Sequence, residues 1–238
     1  MKTKSLKFKI IAFAILSAIG IGLIVNSTLK NVNIKSSNAI IINSNTELKS
    51  NKTAEIKNQE LKKLELEKQQ QINQKQESLE NIWEKGYDQF FQKEYNKAIE
   101  TEKQVIKEDD TFYKAYAVEG IALAYSGDFK SGIKQIDQAL KLKPYYGYAR
   151  FNKALANELY GHYDEAIKWY NKALEVEKFE WSYYGIASIY GRKGDIENTI
   201  KYLKLAIDIN PTIKNTANDE EDFNNVREHT EFKQLIEK

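Results

Sequence analysis

The chain has 238 residues, of which 29% are charged and 42% hydrophobic; two prolines and eleven glycines argue against a loop-rich β fold and leave room for one domain with appendages. Of the net charge of +2, +5 lies in the first 30 residues, so the remainder is mildly acidic, a poor match to nucleic acid, whose binding rests on clustered cations. No cysteine is present, which excludes disulfides, thiolate nucleophiles, cysteine metal sites and a lipidated N-terminal cysteine.

In chain order, residues 1–9 form a basic run, read as a cytoplasmic N-terminus, and residues 10–29 carry no charge. As a helix the second stretch would span about 30 Å, the thickness of a bilayer core. The lysines ahead of it put the N-terminus in the cytoplasm and the bulk of the chain outside, at the plasma membrane as a single-pass protein. Two readings stand: an uncleaved transmembrane signal-anchor, or a signal peptide cleaved after Ser27, which would release a secreted protein. Residues 30–45 are rich in Asn and Ser and read as a flexible linker. From Thr46 to residue 77 the composition turns to Glu, Lys, Gln and Leu without Gly or Pro, a helical stalk. Its apolar positions, Leu48, Ile56, Leu61, Leu64 and Ile72, keep no steady heptad. A solvated spacer is expected there, with a weakly self-associating stalk as the alternative.

Beyond the stalk a pattern recurs. "GHYDEAIKWYNKALE" places Gly161, Tyr163, Ala166, Ile167, Tyr170 and Ala173 in a register matched by Gly127, Phe129, Gly132, Ile133, Ile136 and Ala139. The same register holds Gly194, Ile196, Thr199, Ile200, Leu203 and Ala206, and a fainter copy starts at Lys93 with Tyr95, Ala98, Ile99 and Glu102. The small residues step by 34, 34 and 33 positions. Gly127, Gly161 and Gly194 are expected to end the first helix of each pair in the left-handed conformation that reverses the chain. Gly132 and Ala166 are expected where partner helices cross most closely, and Ala139, Ala173 and Ala206 where the next pair stacks. Lys93 departs from the turn glycine, Glu102 from the usual apolar residue, and Thr199 from alanine.

This register resembles the tetratricopeptide repeat family, helix–turn–helix units of 34 residues. The resemblance covers residues 78–213 as four units, about 78–111, 112–145, 146–179 and 180–213, followed by a C-terminal cap over 214–238. It implies an all-α, right-handed superhelix whose units cannot bury their faces singly. Within the cap, Asn218 with Glu221 reads as a capping-box start of a helix, and Thr230 as the cap of a final short one.

No catalytic constellation is found: no metalloprotease motif, no phosphate loop and no nucleophile elbow. His162 falls at an inter-helix turn and His229 before Thr230, so neither suggests a site, and the acidic run 219–222 suits a helix start better than a metal. No enzymatic activity, cofactor or metal is expected. What the resemblance implies instead is a concave groove lined by first helices. Tyr125, Tyr148, Phe151, Glu158, Trp181, Tyr184 and Arg192 are carried onto it as an exposed aromatic surface with a few charges, for a partner protein or peptide. The groove lacks the Asn and Lys of the subtype that clamps a chaperone's terminal carboxylate, since Tyr87, Ile121 and Leu155 stand there. The expected function is therefore a non-enzymatic interaction scaffold displayed outside the membrane, or a secreted peptide-binding protein.

Overall fold

The computed structural model describes residues 46–237, with side chains from 56 onward. Among the described residues the fold is all-α, ten helices and one 3-10 turn without a strand. The membrane segment expected over 10–29 and the linker over 30–45 lie outside them. No described helix is long and apolar enough to cross a membrane. The described residues divide into two compact units, 46–81 and 82–237. In the first, the side chains from Ile56 to residue 78 are exposed, including Ile56, Leu61, Leu64, Leu66 and Ile72.

Helix α1 runs Thr46–Phe91 and α2 Tyr95–Glu108. Then come α3 (Tyr113–Ser126), α4 (Phe129–Leu142), α5 (Gly147–Leu159), α6 (Tyr163–Leu174), α7 (Glu180–Lys193) and α8 (Ile196–Ile209). Helix α3 packs chiefly on α4, α5 on α6 and α7 on α8, while α3 also meets α5, and α6 meets α7. The first helices α3, α5 and α7 are buried almost all round and the second helices on one face. That division is the reason α4, α6 and α8 alternate apolar and charged residues while α3 is Ala-rich throughout.

Each pair reverses through the same closed turn. The amides of Asp128, His162 and Asp195 donate to the carbonyls of Leu123, Asn157 and Tyr190, five residues back, at 2.9–3.0 Å. Between them Gly127, Gly161 and Gly194 sit at φ +109°, +79° and +73°, the helix-ending motif that demands a left-handed residue. Asp128 and Asp195 then cap the next helix, each carboxylate accepting the amide three residues on at 3.0 Å. Lys93 occupies the glycine position of the first turn, at φ +65° with the Glu94 amide on the Gln89 carbonyl at 2.8 Å. A side chain in that conformation is strained, so Lys93→Gly should stabilise the array by about 0.5–1 kcal/mol. A higher urea midpoint at unchanged slope checks this.

The crossings are as tight as their small residues suggest. Ala98, Ala166 and Thr199 are fully buried, as are Ala139 and Ala206, with Ala173 nearly so. Thr199 is tolerated because its hydroxyl donates back to the Asp195 carbonyl at 2.5 Å, leaving no unsatisfied polar group. At the α3–α4 crossing the contact is backbone on backbone: a Cβ on Gly132 would lie 2.6 Å from the Gly120 carbonyl oxygen, and one on Gly120 would lie 2.7 Å from that of Gly132.

Glu102 stands where the other units carry Ile136, Tyr170 and Leu203, and it is fully buried beside Gly86 and the buried Glu119. Neither of its carboxyl oxygens has a hydrogen-bond partner. Burial, reinforced by the Glu119 charge, raises its pKa well above the ordinary 4.5. A group whose folded pKa is raised contributes stability that is complete below its unfolded value and is lost as pH rises through the folded one. Glu102→Gln should therefore gain about 1–3 kcal/mol near pH 8, with the gain vanishing near pH 4. Urea unfolding at the two pH values measures it; an equal effect at both would mean the carboxylate is not paying for its charge.

The closing segment begins with α9 (Ile213–Asp219), turns through the 3-10 residues Glu221–Phe223 and ends in α10 (Thr230–Glu237). Asn218 is therefore not a helix start. It lies in the last turn of α9, its side chain donating to Asp219 at 3.0 Å, because the chain must turn at 220–223 to reach α7.

Candidate functional site

The aromatic residues assigned to an open groove are largely interior. Tyr148, Phe151, Trp181 and Tyr184 are buried, Tyr184 completely. First helices here have neighbours on every side, so their apolar residues face packing partners. Tyr148 meets Tyr87 and Tyr146 at centroid distances of 5.8 and 5.9 Å. Phe151 meets Tyr170 and Phe179 at 5.6 and 5.4 Å, and Trp181 meets Tyr184 at 5.3 Å. Tyr125 is half-buried, edge-on to Phe90 at 5.6 Å. An exposed aromatic surface over these residues is not what the array presents. The exposed large apolar side chains of unit 82–237 are instead Tyr145, Val176, Leu205 and Ile209, on the second helices and the loops that follow them.

Glu158 and Arg192 belong to a buried polar cluster that joins α5, α6, α7 and the closing segment. Glu158 projects from α5 with a side chain of zero exposure. The Tyr170 hydroxyl donates to its Oε2 at 2.5 Å and the Ser188 hydroxyl to its Oε1 at 3.2 Å. Tyr170 reaches it only because Gly185 has no side chain: a Cβ there would fall 2.4 Å from the phenol ring. Burial, then the Glu158 charge, pushes the Tyr170 hydroxyl well above its ordinary pKa, so it stays a donor.

Arg192, from the last turn of α7, bridges two carboxylates. Its Nη1 lies 3.1 Å from Glu158 Oε1. Its Nε and Nη2 donate to the two oxygens of Asp222 at 2.6 Å each, the two-pronged geometry that only arginine offers. Tyr163 lies under the guanidinium, 5.5 Å from ring centroid to carbon. Burial opposes the positive charge, but Glu158 and Asp222 outweigh it and raise the pKa further.

Asp222 is the residue that sequence reasoning missed; the only signal was the acidic run around it, read there as a helix start. Phe223 follows it into the same place, edge-on to Tyr184 at 5.7 Å and beside Phe232 at 5.4 Å. His162 and His229 are exposed, the first preceding α6 and the second preceding α10. Among the described residues no group of three or more His, Asp or Glu side chains is assembled to hold a metal.

Comparison with known proteins bears on the repeats. Family models described as tetratricopeptide repeat match residues 118–179 and 182–213. An uncharacterized protein of Methanocaldococcus jannaschii is 36% identical over 73 residues, covering 31% of this chain and 80% of the relative. Human tetratricopeptide repeat protein 4 is 28% identical over 109 residues, which span 44% of this chain but only 28% of that protein. Among solved structures, a thermophilic TPR protein of Thermus thermophilus superposes with a TM-score of 0.52 at 19% identity, over 56% of this chain and 74% of that one, a likeness of fold. The chain therefore carries tetratricopeptide repeats within residues 118–213.

Proposed function

We propose that this chain is a non-enzymatic scaffold whose repeats hold a partner protein, displayed outside a plasma membrane by residues 10–29. Proteins of this family mediate protein–protein contacts. The observation that carries the reading is the array itself: stacked helix pairs whose buried polar groups Glu158, Arg192 and Asp222 pair with one another. The uncharged run behind a basic N-terminus supports the display, and the helix-forming composition of 46–77 supports a stalk between membrane and repeats. A chain released by cleavage after Ser27 is the second reading, favoured only by the small residues near that point.

Two measurements test this. Photocrosslinkers placed in intact cells at exposed Tyr145 and Lys168 should give discrete adducts with another protein, and one at Ile72 on the stalk should not. Absence of adducts at every repeat position would remove the scaffold reading. Mass spectrometry of the mature N-terminus separates the two localisations, since an N-terminus at Thr28 excludes the anchor.

A further inference from the structure

We infer that Asp222 and Phe223 fill, within their own chain, a receptor for an acidic-aromatic segment of the partner, and that the partner's carboxylate and adjoining ring take their place when the closing segment lifts. This rests on the scaffold reading and names the chemistry of what the scaffold holds.

The receptor is built before the segment arrives. Glu158, fixed by Tyr170 and Ser188, holds the inner side of Arg192, and the Tyr163 ring supports its face. The guanidinium is thus oriented with Nε and Nη2 directed at Asp222. Next to it Gly191 opens the helix surface: a Cβ there would come within 2.8 Å of the Asp222 carbonyl oxygen and 2.7 Å of the Phe223 ring. The backbone of any segment seated here must approach α7 that closely, with a carboxylate on one side and a ring against Tyr184 on the other.

The segment has the character of a docked peptide. It meets α7 through a three-residue 3-10 turn whose first residue, Glu221, is exposed, as are Asn224 and Asn225 after it. Arg227 binds the carbonyls of Asn218 and Glu220, which ties 218–227 to itself, and the Asn225 side-chain amide donates to the Arg192 carbonyl of α7 at 2.7 Å, a bond that must break when the segment lifts. Charge permits the departure: Glu158 neutralises Arg192 from inside the array, so lifting Asp222 leaves no buried cation stranded. A partner carboxylate restores the two-pronged pair, and a partner ring covers Tyr184.

The test uses the full chain and a labelled peptide of residues 217–226 as probe. The doubly substituted chain Asp222→Ala, Phe223→Ala should bind this peptide roughly tenfold or more tighter than the parent chain does, because the competing segment no longer fills the site. A peptide carrying the same two alanines should bind neither chain. A substituted chain that melts cooperatively yet shows no gain overturns the inference. Should that chain not fold, hydrogen exchange on the parent decides. Residues 214–237 opening at lower free energy than α5–α8 supports the inference, and opening as one unit with them overturns it. Failure of the peptide to bind leaves the crosslinking result standing, and missing crosslinks leave the peptide result standing, so the two readings fail separately.

Discussion

Gly132→Leu is expected to unfold the array around α3 and α4 rather than to trim its stability. The ideal Cβ already falls 2.6 Å from the Gly120 carbonyl oxygen and 3.0 Å from the Ala124 amide nitrogen, and both are backbone atoms that cannot rotate aside. Two helices must separate for the side chain to fit, and separation opens a gap along the whole crossing. Overpacking of a well-filled interior costs about 1–3 kcal/mol, and here the rigidity of the obstruction puts the cost at or beyond about 3 kcal/mol. Urea unfolding followed by circular dichroism measures it. Lys134→Leu, two residues on and on the exposed face of α4, is the control and should change stability by less than about 0.5 kcal/mol. A Gly132→Leu chain as stable as the parent would mean that α3 and α4 do not cross at these glycines.

Arg192→Ala is the second large effect. It removes the cation between two carboxylates whose side chains are 0% and 9% exposed. Stranding a buried charge by deleting its partner costs about 3–5 kcal/mol, and lysine should recover little because it cannot meet Asp222 with two parallel donors. Arg192→Ala with Glu158→Gln and Asp222→Asn should lose much less than Arg192→Ala alone, since the stranded charges are gone. A double-mutant cycle between Arg192 and Glu158 showing no coupling would remove the cluster as a source of stability.

How much of this was legible beforehand differs from residue to residue. The repeat was, because its determinants are local: a left-handed turn accepts glycine most readily, and a helix crossing admits only small residues, so each leaves a fixed letter at a fixed spacing. Even the exceptions were visible, and the structure gives them physical content in the strained φ of Lys93 and the unpartnered carboxyl of Glu102. The site was not legible in the same way. Trp181 and Tyr184 occupy positions where an aromatic residue suits an open groove and an interior equally well. What covers Tyr184 is Phe223, supplied by a segment with no repeat periodicity. Asp222 looked like part of a helix-starting acidic run, since nothing adjacent to it in the chain announces an arginine on α7.

The amino-acid order by itself determined that residues 78–213 are helical, that their helices pair through glycine turns, and that the pairs repeat at 33–34 residues. Those are consequences of backbone conformation and of side-chain size within one unit. Only the tertiary structure decided which aromatic residues face solvent, that Arg192 is held between Glu158 and Asp222, and that the closing segment seats on α7. Burial and ion pairing are properties of surfaces brought together from distant parts of the chain, and no local pattern records which surfaces will meet.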